Sequence, residues 1–278
     1  MAPLIELPAD FPRDIEVVAT DLDHTLIWQD GALRPRTLEV LHRVQAAGIH
    51  VLIVTGRMVQ SLRRVVPREV LGEPVICYQG AVVVDADGTW LSHVPIEVEL
   101  AKEAILAVEA EGYTPNIYVD DELYVAQETQ WSQAYAAFQG LTILEVGTLT
   151  DWLDKPPTKI VCVGDPDELD AMEIRMEKIF DGRLTISKSL PYFLEFSAFG
   201  ITKGAGLDFL AARMGFSADK TICFGDGEND VELVGWGAFG IAMENAHPRV
   251  KAVADWVCPP AAEEGVASVL EALLDSRP

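Results

Sequence analysis

Residues 15–25, with the sequence IEVVATDLDHT, decide the fold of this chain. The first six residues, IEVVAT, are a short apolar run rich in β-branched side chains, which is typical of a strand buried on both faces of a parallel sheet. The predicted strand ends at Asp21, and a second carboxylate, Asp23, follows two residues later. Because side chains alternate along an extended chain, we expect both carboxylates on the same side of the strand end.

Helices and strands alternate downstream of this stretch. Apolar residues at helical spacing predict a helix over 35–47, and apolar runs predict strands over 49–54 and 74–78, with a second helix between these strands that ends near residue 66. This alternation is typical of a doubly wound α/β layer, in which ligands bind at the carboxyl ends of the strands. Thr55 follows the second strand and falls at such an end.

The pattern changes after Ala81 and changes back at Lys203. The elements predicted between them are hairpins around 87–88 and over 116–126, helices over 97–111, 129–138 and 165–182, and strands over 159–163, 183–187 and 192–196. The elements predicted from Lys203 onward are helices over 203–213, from about 228 and over 263–274, and strands over 220–224 and 238–242.

These patterns predict an α/β fold with an insertion. We expect a Rossmann-like core with a parallel sheet, formed by residues 1–84 and 190–278, and an inserted α+β domain over 85–189. The insertion has an ordinary size for a domain, and a chain of 278 residues can bury two cores.

The charge of the chain restricts its partners. There are 44 Asp and Glu residues against 21 Lys and Arg, a formal net charge of −23. This balance argues against nucleic acid and against an anionic membrane surface, because both are bound mainly through clustered Lys and Arg. A small anionic ligand would have to be held by local cations or by a metal ion.

The compartment expected for this chain is the cytoplasm. Residues 1–14 lack the basic start and apolar core of a signal peptide, and no run of about 20 apolar residues occurs. The cysteines, Cys77, Cys162, Cys223 and Cys258, stand singly in or beside apolar runs, so we expect buried thiols rather than a disulfide framework or a zinc site.

The pair Asp21 and Asp23 has the composition of a phosphoryl-transfer site. One carboxylate can attack phosphorus, while a second protonates the leaving oxygen and later activates water. A loop with two solvated acids or an Asx turn is the alternative interpretation of this pair.

The segment GDGEND, residues 225–230, places Asp226 and Asp230 at a second strand end, and hard oxygen ligands from two segments favour Mg²⁺. An Asp-Gly turn followed by acidic helix-capping residues is the alternative there.

Two further segments could bind phosphate. The Thr55 hydroxyl and the backbone N–H groups that follow it, with Gly56 next in the chain, form a natural cradle for phosphate at the start of a helix. Lys203 also starts a predicted helix, where a positive charge is unfavourable, and it could stabilise charge on a transferring phosphoryl group. A solvated lysine is the alternative.

The segments DLDHT, VTGR, TKG and GDGEND, in this order, resemble the four motifs of the haloacid dehalogenase (HAD) superfamily. The insertion between the second and third motifs, the stretch LEFSAFGITKG and the later IAMENAHPRVKAVADWV resemble the Cof-type subfamily, whose members carry an α/β cap of type IIB. The resemblance covers nearly the whole chain.

The resemblance implies a role for each matching residue. Asp21 is expected to be the nucleophile and Asp23 the general acid and base. The residues implied to contact or line the phosphoryl group are Thr55, Gly56, Lys203 and Asn229, with Asn245 also near the site. The implied ligands of Mg²⁺ are the Asp21 carboxylate, the Asp23 backbone carbonyl and Asp226, with Asp230 bound directly or placed close behind them.

Two positions depart from the family pattern. His24 stands where glycine is common, and Gln79 stands where asparagine is usual, so their roles are left open. The inserted domain offers Tyr124, Trp131 and Tyr192 as residues that could select a substrate, although core packing is the favoured interpretation of each.

The function expected from the residues and the resemblance is that of a magnesium-dependent phosphatase. It would hydrolyse a small phosphorylated metabolite through an aspartyl-phosphate intermediate, with sugar phosphates as the first candidates and nucleotides, flavin mononucleotide or pyridoxal phosphate as others. A phosphohexomutase and a catalytically silent module that binds a phosphate ligand are the alternatives. A monomer and a homodimer are both compatible with the sequence.

Overall fold

The structure is a computed structural model that describes residues 5–29, 31–66 and 72–277. In chain order, the strands are β1 (Val17–Thr20), β2 (His50–Val54), β3 (Val75–Cys77), β4 (Val82–Val84), β5 (Trp90–His93), β6 (Asn116–Val119), β7 (Glu122–Val125), β8 (Ile143–Glu145), β9 (Lys159–Val163), β10 (Leu184–Leu190), β11 (Phe193–Ala198), β12 (Thr221–Gly225), β13 (Phe239–Met243) and β14 (Trp256–Cys258). The α-helices are α1 (Pro35–Ala46), α2 (Val59–Val65), α3 (Val98–Ala110), α4 (Gln130–Gln139), α5 (Leu149–Trp152), α6 (Pro166–Ile179), α7 (Lys203–Met214), α8 (Val231–Val234), α9 (Pro248–Val253) and α10 (Gly265–Ser276).

The first sheet has the strand order β14-β13-β12-β1-β2-β3-β4-β5. Its first six strands in this order are parallel, and β4 and β5 add an antiparallel edge. Helices α1 and α10 contribute to the apolar cluster on one face, and α7 contributes to the cluster on the other. The central strands β1, β12 and β13 are fully buried because both faces are covered, and this explains their continuous apolar sequences. The predicted α/β fold with a parallel sheet is confirmed.

The carboxyl ends of the parallel strands lie at one edge of this sheet. β1 ends before Asp21, β2 before Thr55, and β12 before Asp226. The register pairs Thr20 with Phe224 on one side and with Ile53 on the other, so these three strands end at nearly the same level. The fold therefore brings together polar residues that are up to about 200 positions apart in the chain, as the separation of the Thr25 and Asp226 hydrogen bond shows.

The second sheet has the strand order β10-β11-β9-β6-β7-β8, with antiparallel pairs except for β7 and β8. One face packs on helices α3 and α6 through side chains such as Ile160, Leu194 and Phe196. The alternate residues of the same strands, including Tyr118, Val161 and Phe193, belong to the apolar cluster of the first sheet. The second sheet therefore lies over the core, with one face toward it.

The boundaries predicted at residues 85 and 189 do not coincide with the division between the two sheets. β5 falls within the predicted insertion but pairs with β4 in the first sheet, because a tight hairpin around Gly88 keeps the two strands adjacent. β11 falls within the predicted core but pairs with β10 and β9 in the second sheet. A two-residue turn joins β10 to β11, so the pair cannot be divided between sheets.

Several shorter elements differ from the sequence interpretation. The helix predicted from residue 228 is a 3₁₀ turn over Glu228–Asp230 followed by the single-turn helix α8. β8, α5, α9 and β14, which have three to six residues each, were not predicted, because periodicity is weak over so few positions. All four cysteines are buried and free, as predicted. Within the described ranges, no helix is long and apolar enough to cross a membrane.

The turn after β3 requires a glycine. Tyr78, Gln79 and Gly80 all have positive φ angles, and Gly80 has φ 108°. A Cβ atom on Gly80 would lie 2.2 Å from the carbonyl oxygen of Thr202, the residue that caps the start of α7. The turn and the start of α7 are therefore in direct backbone contact.

We expect Gly80→Ala to lower the free energy of unfolding more than Gly200→Ala does. Both glycines have positive φ, which costs about 1–2 kcal/mol for alanine, but nothing lies within 4 Å of a Cβ on Gly200. The added clash at Gly80 should cost a further 1–3 kcal/mol, roughly. Urea unfolding followed by circular dichroism measures the free energy of unfolding of both variants. Equal losses in the two variants would contradict the close contact between residue 80 and Thr202.

Candidate active site

A buried lysine lies at the centre of the strand-end cluster. Lys203 is the first residue of α7, and its Nζ donates to Oδ1 of Asp21 at 2.6 Å and to Oδ1 of Asp230 at 2.5 Å. All three side chains are almost fully buried. A cation at a helix N-terminus is unfavourable, and here two carboxylates compensate for it. The sequence alternative of a solvated lysine is wrong.

The carboxylates outnumber this cation. Oxygen atoms of Asp21, Asp226 and Asp230 lie within 4.8 Å of one another. Burial, followed by the charge of Asp230, raises the pKa of Asp21 to about 7 although Lys203 opposes the shift. Burial, followed by the charges of Asp21 and Asp230, raises the pKa of Asp226 to about 8. A cluster of oxygen donors with surplus negative charge fits a hard divalent cation.

The loop after β12 is organised by Asp230. Its Oδ2 accepts the backbone N–H groups of Asp226 and Gly227, both at 2.9 Å. A Cβ atom at Gly225 would lie 2.5 Å from the Cβ of Asp230, so the glycine allows this close approach. Because both carboxylate oxygens of Asp230 accept hydrogen bonds, its main contribution in this arrangement is to hold Lys203 and the loop in place.

Asp226 is held from two other loops. Thr25 Oγ1 donates to its Oδ1 at 2.7 Å. Asn245 Nδ2 donates to the backbone carbonyl of His24 at 2.9 Å and lies 3.4 Å from Asp226 Oδ2. His24 has φ 61°, a conformation in which glycine is unstrained, and its ring lies 5.4 Å from that of Trp28. His24 therefore packs beside the site.

Asp23 is paired with an arginine. Arg57 Nε and Nη2 donate to Oδ2 and Oδ1 of Asp23 at 2.7 and 2.6 Å, a bidentate geometry. Arg57 Nη1 also donates to Ser61 Oγ at 3.2 Å, and the Arg57 backbone N–H donates to Thr55 Oγ1 at 3.1 Å. The pairing fixes the Asp23 carboxylate and places the turn after β2, including Gly56, at the cavity.

A cavity of about 40 Å³ lies between the two sheets at this edge. Its core-side lining consists of Asp21, Asp23, Thr55, Gly56, Arg57, Asp226, Gly227, Asn229 and Asp230. Its lining from the second sheet and α4 consists of Phe138, Gln139, Ser189, Leu190, Phe193 and Glu195. The second sheet thus covers the strand-end cluster, and it leaves room for little more than a few water molecules.

A second buried ion pair lies within the second sheet, beside the cavity, and it also contacts the core. Lys159 Nζ donates to Glu195 Oε1 at 3.1 Å and to the Gly56 carbonyl at 2.9 Å. Ser189 Oγ donates to the same Glu195 oxygen at 2.7 Å. Gln79 Nε2 donates to Glu195 Oε2 at 3.1 Å, and Gln79 Oε1 accepts from Asn229 Nδ2 at 2.9 Å. Gln79, left open by the sequence, thus bridges the core loop and the covering sheet.

The structure brings most of the predicted site residues together. Those that line the cavity are Asp21, Asp23, Thr55, Gly56, Asn229, Asp226 and Asp230. Lys203 lies behind Asp21 and is not among the lining residues of this cavity. Of the aromatic residues considered, Tyr124 packs on Trp152 with ring centroids 4.3 Å apart, and Trp131 lines a different cavity. Tyr192 packs edge-on against Phe193, which is the residue that lines the site.

Sequence reasoning missed the covering residues. The sequence patterns do not point to Phe138, Phe193 or Glu195, and the VTGR motif contains Arg57 without indicating its partner. One signal was available: Glu195 stands inside the apolar strand sequence FLEF, where a buried charge requires a partner. The partner, Lys159, lies 36 residues earlier in the chain, so only the strand pairing reveals it.

Comparisons with known proteins agree with this geometry. Residues 18–270 match the family model of haloacid dehalogenase-like hydrolases. A pyridoxal phosphate phosphatase of Escherichia coli is 27% identical, over 87% of this chain and 92% of its own. An HMP-PP phosphatase of Escherichia fergusonii is 27% identical, over 85% of this chain and 86% of its own.

A solved structure of a haloacid dehalogenase-like hydrolase from Bacteroides thetaiotaomicron has a TM-score of 0.81. It is 25% identical, and the match covers 92% of this chain and 98% of the other. The predicted resemblance is confirmed, because the family match spans all four motifs and the two sheets that they join. This chain belongs to the haloacid dehalogenase-like hydrolases.

Proposed function

We propose that the protein is a magnesium-dependent phosphatase that hydrolyses a small phosphorylated metabolite through an aspartyl-phosphate intermediate. The observation that carries this proposal is the placement of Asp21 and Asp23 at one cavity with different cations. Lys203 holds the buried Asp21, whereas Arg57 holds the partly exposed Asp23. Two carboxylates in unlike surroundings suit the two roles of nucleophile and proton-transfer group.

In the first half-reaction, a carboxylate oxygen of Asp21 attacks phosphorus, and the bond from phosphorus to the leaving oxygen breaks. Asp23 donates a proton to that oxygen, so that a neutral alcohol departs. Thr55 and the backbone after it bind the phosphoryl oxygens, as the Thr55 and Gly56 positions at the cavity favour. Lys203 stabilises the negative charge that develops near Asp21.

In the second half-reaction, water attacks the phosphorus of the aspartyl phosphate. Asp23, now ionised, accepts the proton of this water, and the bond between phosphorus and the Asp21 oxygen breaks. Phosphate leaves and Asp21 is a carboxylate again. The covering residues Phe138 and Phe193 keep other water from the cavity during this sequence.

Mg²⁺ would be held by Asp21, Asp226 and the backbone carbonyl of Asp23, with Asp230 behind them or as a further ligand. The raised pKa values of Asp21 and Asp226 support this assignment, because surplus buried negative charge favours a divalent ion. The ion would supply Lewis-acid stabilisation of phosphoryl charge. The protein side chains perform the nucleophilic and proton-transfer steps described above.

The substrate is proposed as a small metabolite. Two relatives are named for activity on pyridoxal phosphate and HMP-PP. Sugar phosphates and nucleotides remain within the proposed range. A silent binding module is disfavoured, because binding alone does not require a nucleophile and a second carboxylate at one cavity.

We expect Asp21→Asn to lower phosphatase activity by about three orders of magnitude or more, because the amide is not a nucleophile. Asp23→Asn should lower it about 10²–10⁴-fold through loss of proton transfer. Acid quenching after mixing with ³²P-labelled substrate measures the phosphoenzyme, which Asp21→Asn should lack. The exposed Asp219→Asn is the control and should match wild type. Phosphoenzyme on folded Asp21→Asn protein would contradict the mechanism.

We expect Mg²⁺ to bind more tightly as the pH rises from 6 to 8, with release of protons. The pKa of Asp21 is raised to about 7 and that of Asp226 to about 8, so binding must displace protons held in the metal-free protein. Calorimetric titration in two buffers of different ionisation enthalpy measures both effects. Asp226→Asn should weaken binding and reduce the proton release, and binding that is independent of pH would contradict the assignment.

The same pKa shifts predict how metal-free stability depends on pH. Folding raises both carboxyl pKa values, so the native state binds more protons than the unfolded state between about pH 4 and 8. The metal-free protein should therefore lose stability as the pH rises from about 4 to 8, and saturating Mg²⁺ should restore it. Thermal unfolding at pH 5.5 and 8, with and without Mg²⁺, tests this. Stability that rises with pH in the absence of metal would contradict it.

A further inference from the structure

The covering side of the cavity combines apolar rings with one carboxylate. Phe138, Leu190 and Phe193 supply the apolar surface, and Glu195 supplies the charge. Glu195 is buried in β11, whose strand neighbours Leu194 and Phe196 point to the opposite face of the sheet. If Asp21 attacks phosphorus from the core side, the leaving alcohol must lie toward this covering side.

Three cations of the described part of the chain lie at or beside the cavity, and each has a carboxylate partner. Arg57, the cation among the described lining residues, is bound at two of its nitrogens by Asp23. Lys159 is held by Glu195 and by a backbone carbonyl. Lys203 is held by Asp21 and Asp230. Among the described residues, a ligand can therefore bind one of these three cations only by displacing its carboxylate partner.

A second anionic group on the substrate would meet unfavourable charge here. It would lie close to the Glu195 carboxylate in a small cavity, where two like charges repel each other. Taking Lys159 from Glu195 would leave that carboxylate buried without its counter-ion, which is costly. The formal net charge of −23 adds a long-range contribution of the same sign.

We propose that Glu195 restricts the substrate to phosphomonoesters whose leaving alcohol carries no second phosphate or carboxylate. This inference rests on the proposed phosphatase function and concerns the same cavity. Glu195 repels a second anion, keeps Lys159 from binding one, and accepts hydrogen bonds from hydroxyl or amine groups of the leaving alcohol. Phe138 and Phe193 pack against the apolar part of the leaving alcohol.

The charge on the covering side of the cavity also distinguishes a phosphatase from the phosphohexomutase alternative. A mutase that uses a bisphosphate activator must bind a second phosphate on the side opposite the nucleophile. The covering side offers that group a carboxylate and no unpaired cation among the described lining residues. The covering side of the cavity thus favours release of a neutral alcohol over rebinding of a bisphosphate.

The test compares substrates that differ in one charge. 4-Carbamoylphenyl phosphate and 4-carboxyphenyl phosphate have the same shape, and only the second carries another anion. With saturating Mg²⁺, we expect wild-type kcat/KM to be at least about tenfold higher for the carbamoyl compound, which corresponds to about 1.4 kcal/mol. Glucose 6-phosphate against glucose 1,6-bisphosphate provides a second pair.

Glu195→Gln is the informative variant. It removes the negative charge with little change of shape and leaves the ammonium of Lys159 available to an anion. The carbamoyl-to-carboxy ratio should fall at least tenfold, chiefly through a lower KM for the carboxylated compound. The double variant Lys159→Met with Glu195→Gln is the matched control. It removes both charges, so the ratio should fall less than in the single variant.

The outcomes separate the two proposals. Equal kcat/KM values for the carbamoyl and carboxy compounds in active wild-type enzyme would overturn the role of Glu195 and leave the phosphatase intact. An unchanged carbamoyl-to-carboxy ratio of kcat/KM in folded Glu195→Gln protein would also overturn the role of Glu195. Absence of hydrolysis of every compound by folded, magnesium-bound wild type would overturn the proposed function itself. If Glu195→Gln fails to fold, the wild-type comparison still decides.

Discussion

One ammonium group shared by two buried carboxylates is the constraint on which the rest of the site depends. Lys203 lies between Asp21 and Asp230, and all three are almost fully buried. A buried charge is tolerated only with well-placed partners. The parallel strands therefore have to end at one level, α7 has to begin at Lys203, and the loop after β12 has to turn tightly enough to present Asp230. The glycines at 80 and 225 meet these last two demands by removing side chains from the contacts.

The second sheet contains a similar group of buried charges beside the cavity. Lys159 and Glu195 form another buried pair, which is completed by a hydroxyl, an amide and a backbone carbonyl. Gln79 joins the two sets of charges, because its amide contacts Glu195 on one side and Asn229 of the motif loop on the other. The three consecutive positive φ angles at residues 78–80 bring this side chain to the junction. Local strain of this kind persists where surrounding contacts compensate for it.

The sequence predicts those features of the fold and site that depend on residues close together in the chain. Apolar runs gave the strands of the parallel sheet, and the acids after them marked the strand ends where Asp21 and Asp226 lie. The sequence pattern does not reveal contacts between residues that are far apart in the chain. Arg57 was visible in its motif, but its bidentate contact with Asp23 depends on two strand ends meeting. The assignment of β5 and β11 to sheets depended on hairpin partners, and the pairing of Lys159 with Glu195 depended on the register between β9 and β11.

The connection between β11 and α7 restricts how far apart these two elements can lie. Ala198 ends the strand that carries Glu195, and Lys203 begins the helix that holds Asp21, with four residues between them. Even when fully extended, a connection of this length spans only about 18 Å from Ala198 to Lys203. The chain itself therefore keeps the strand that carries Glu195 close to the helix that holds Asp21, whatever position the covering sheet takes.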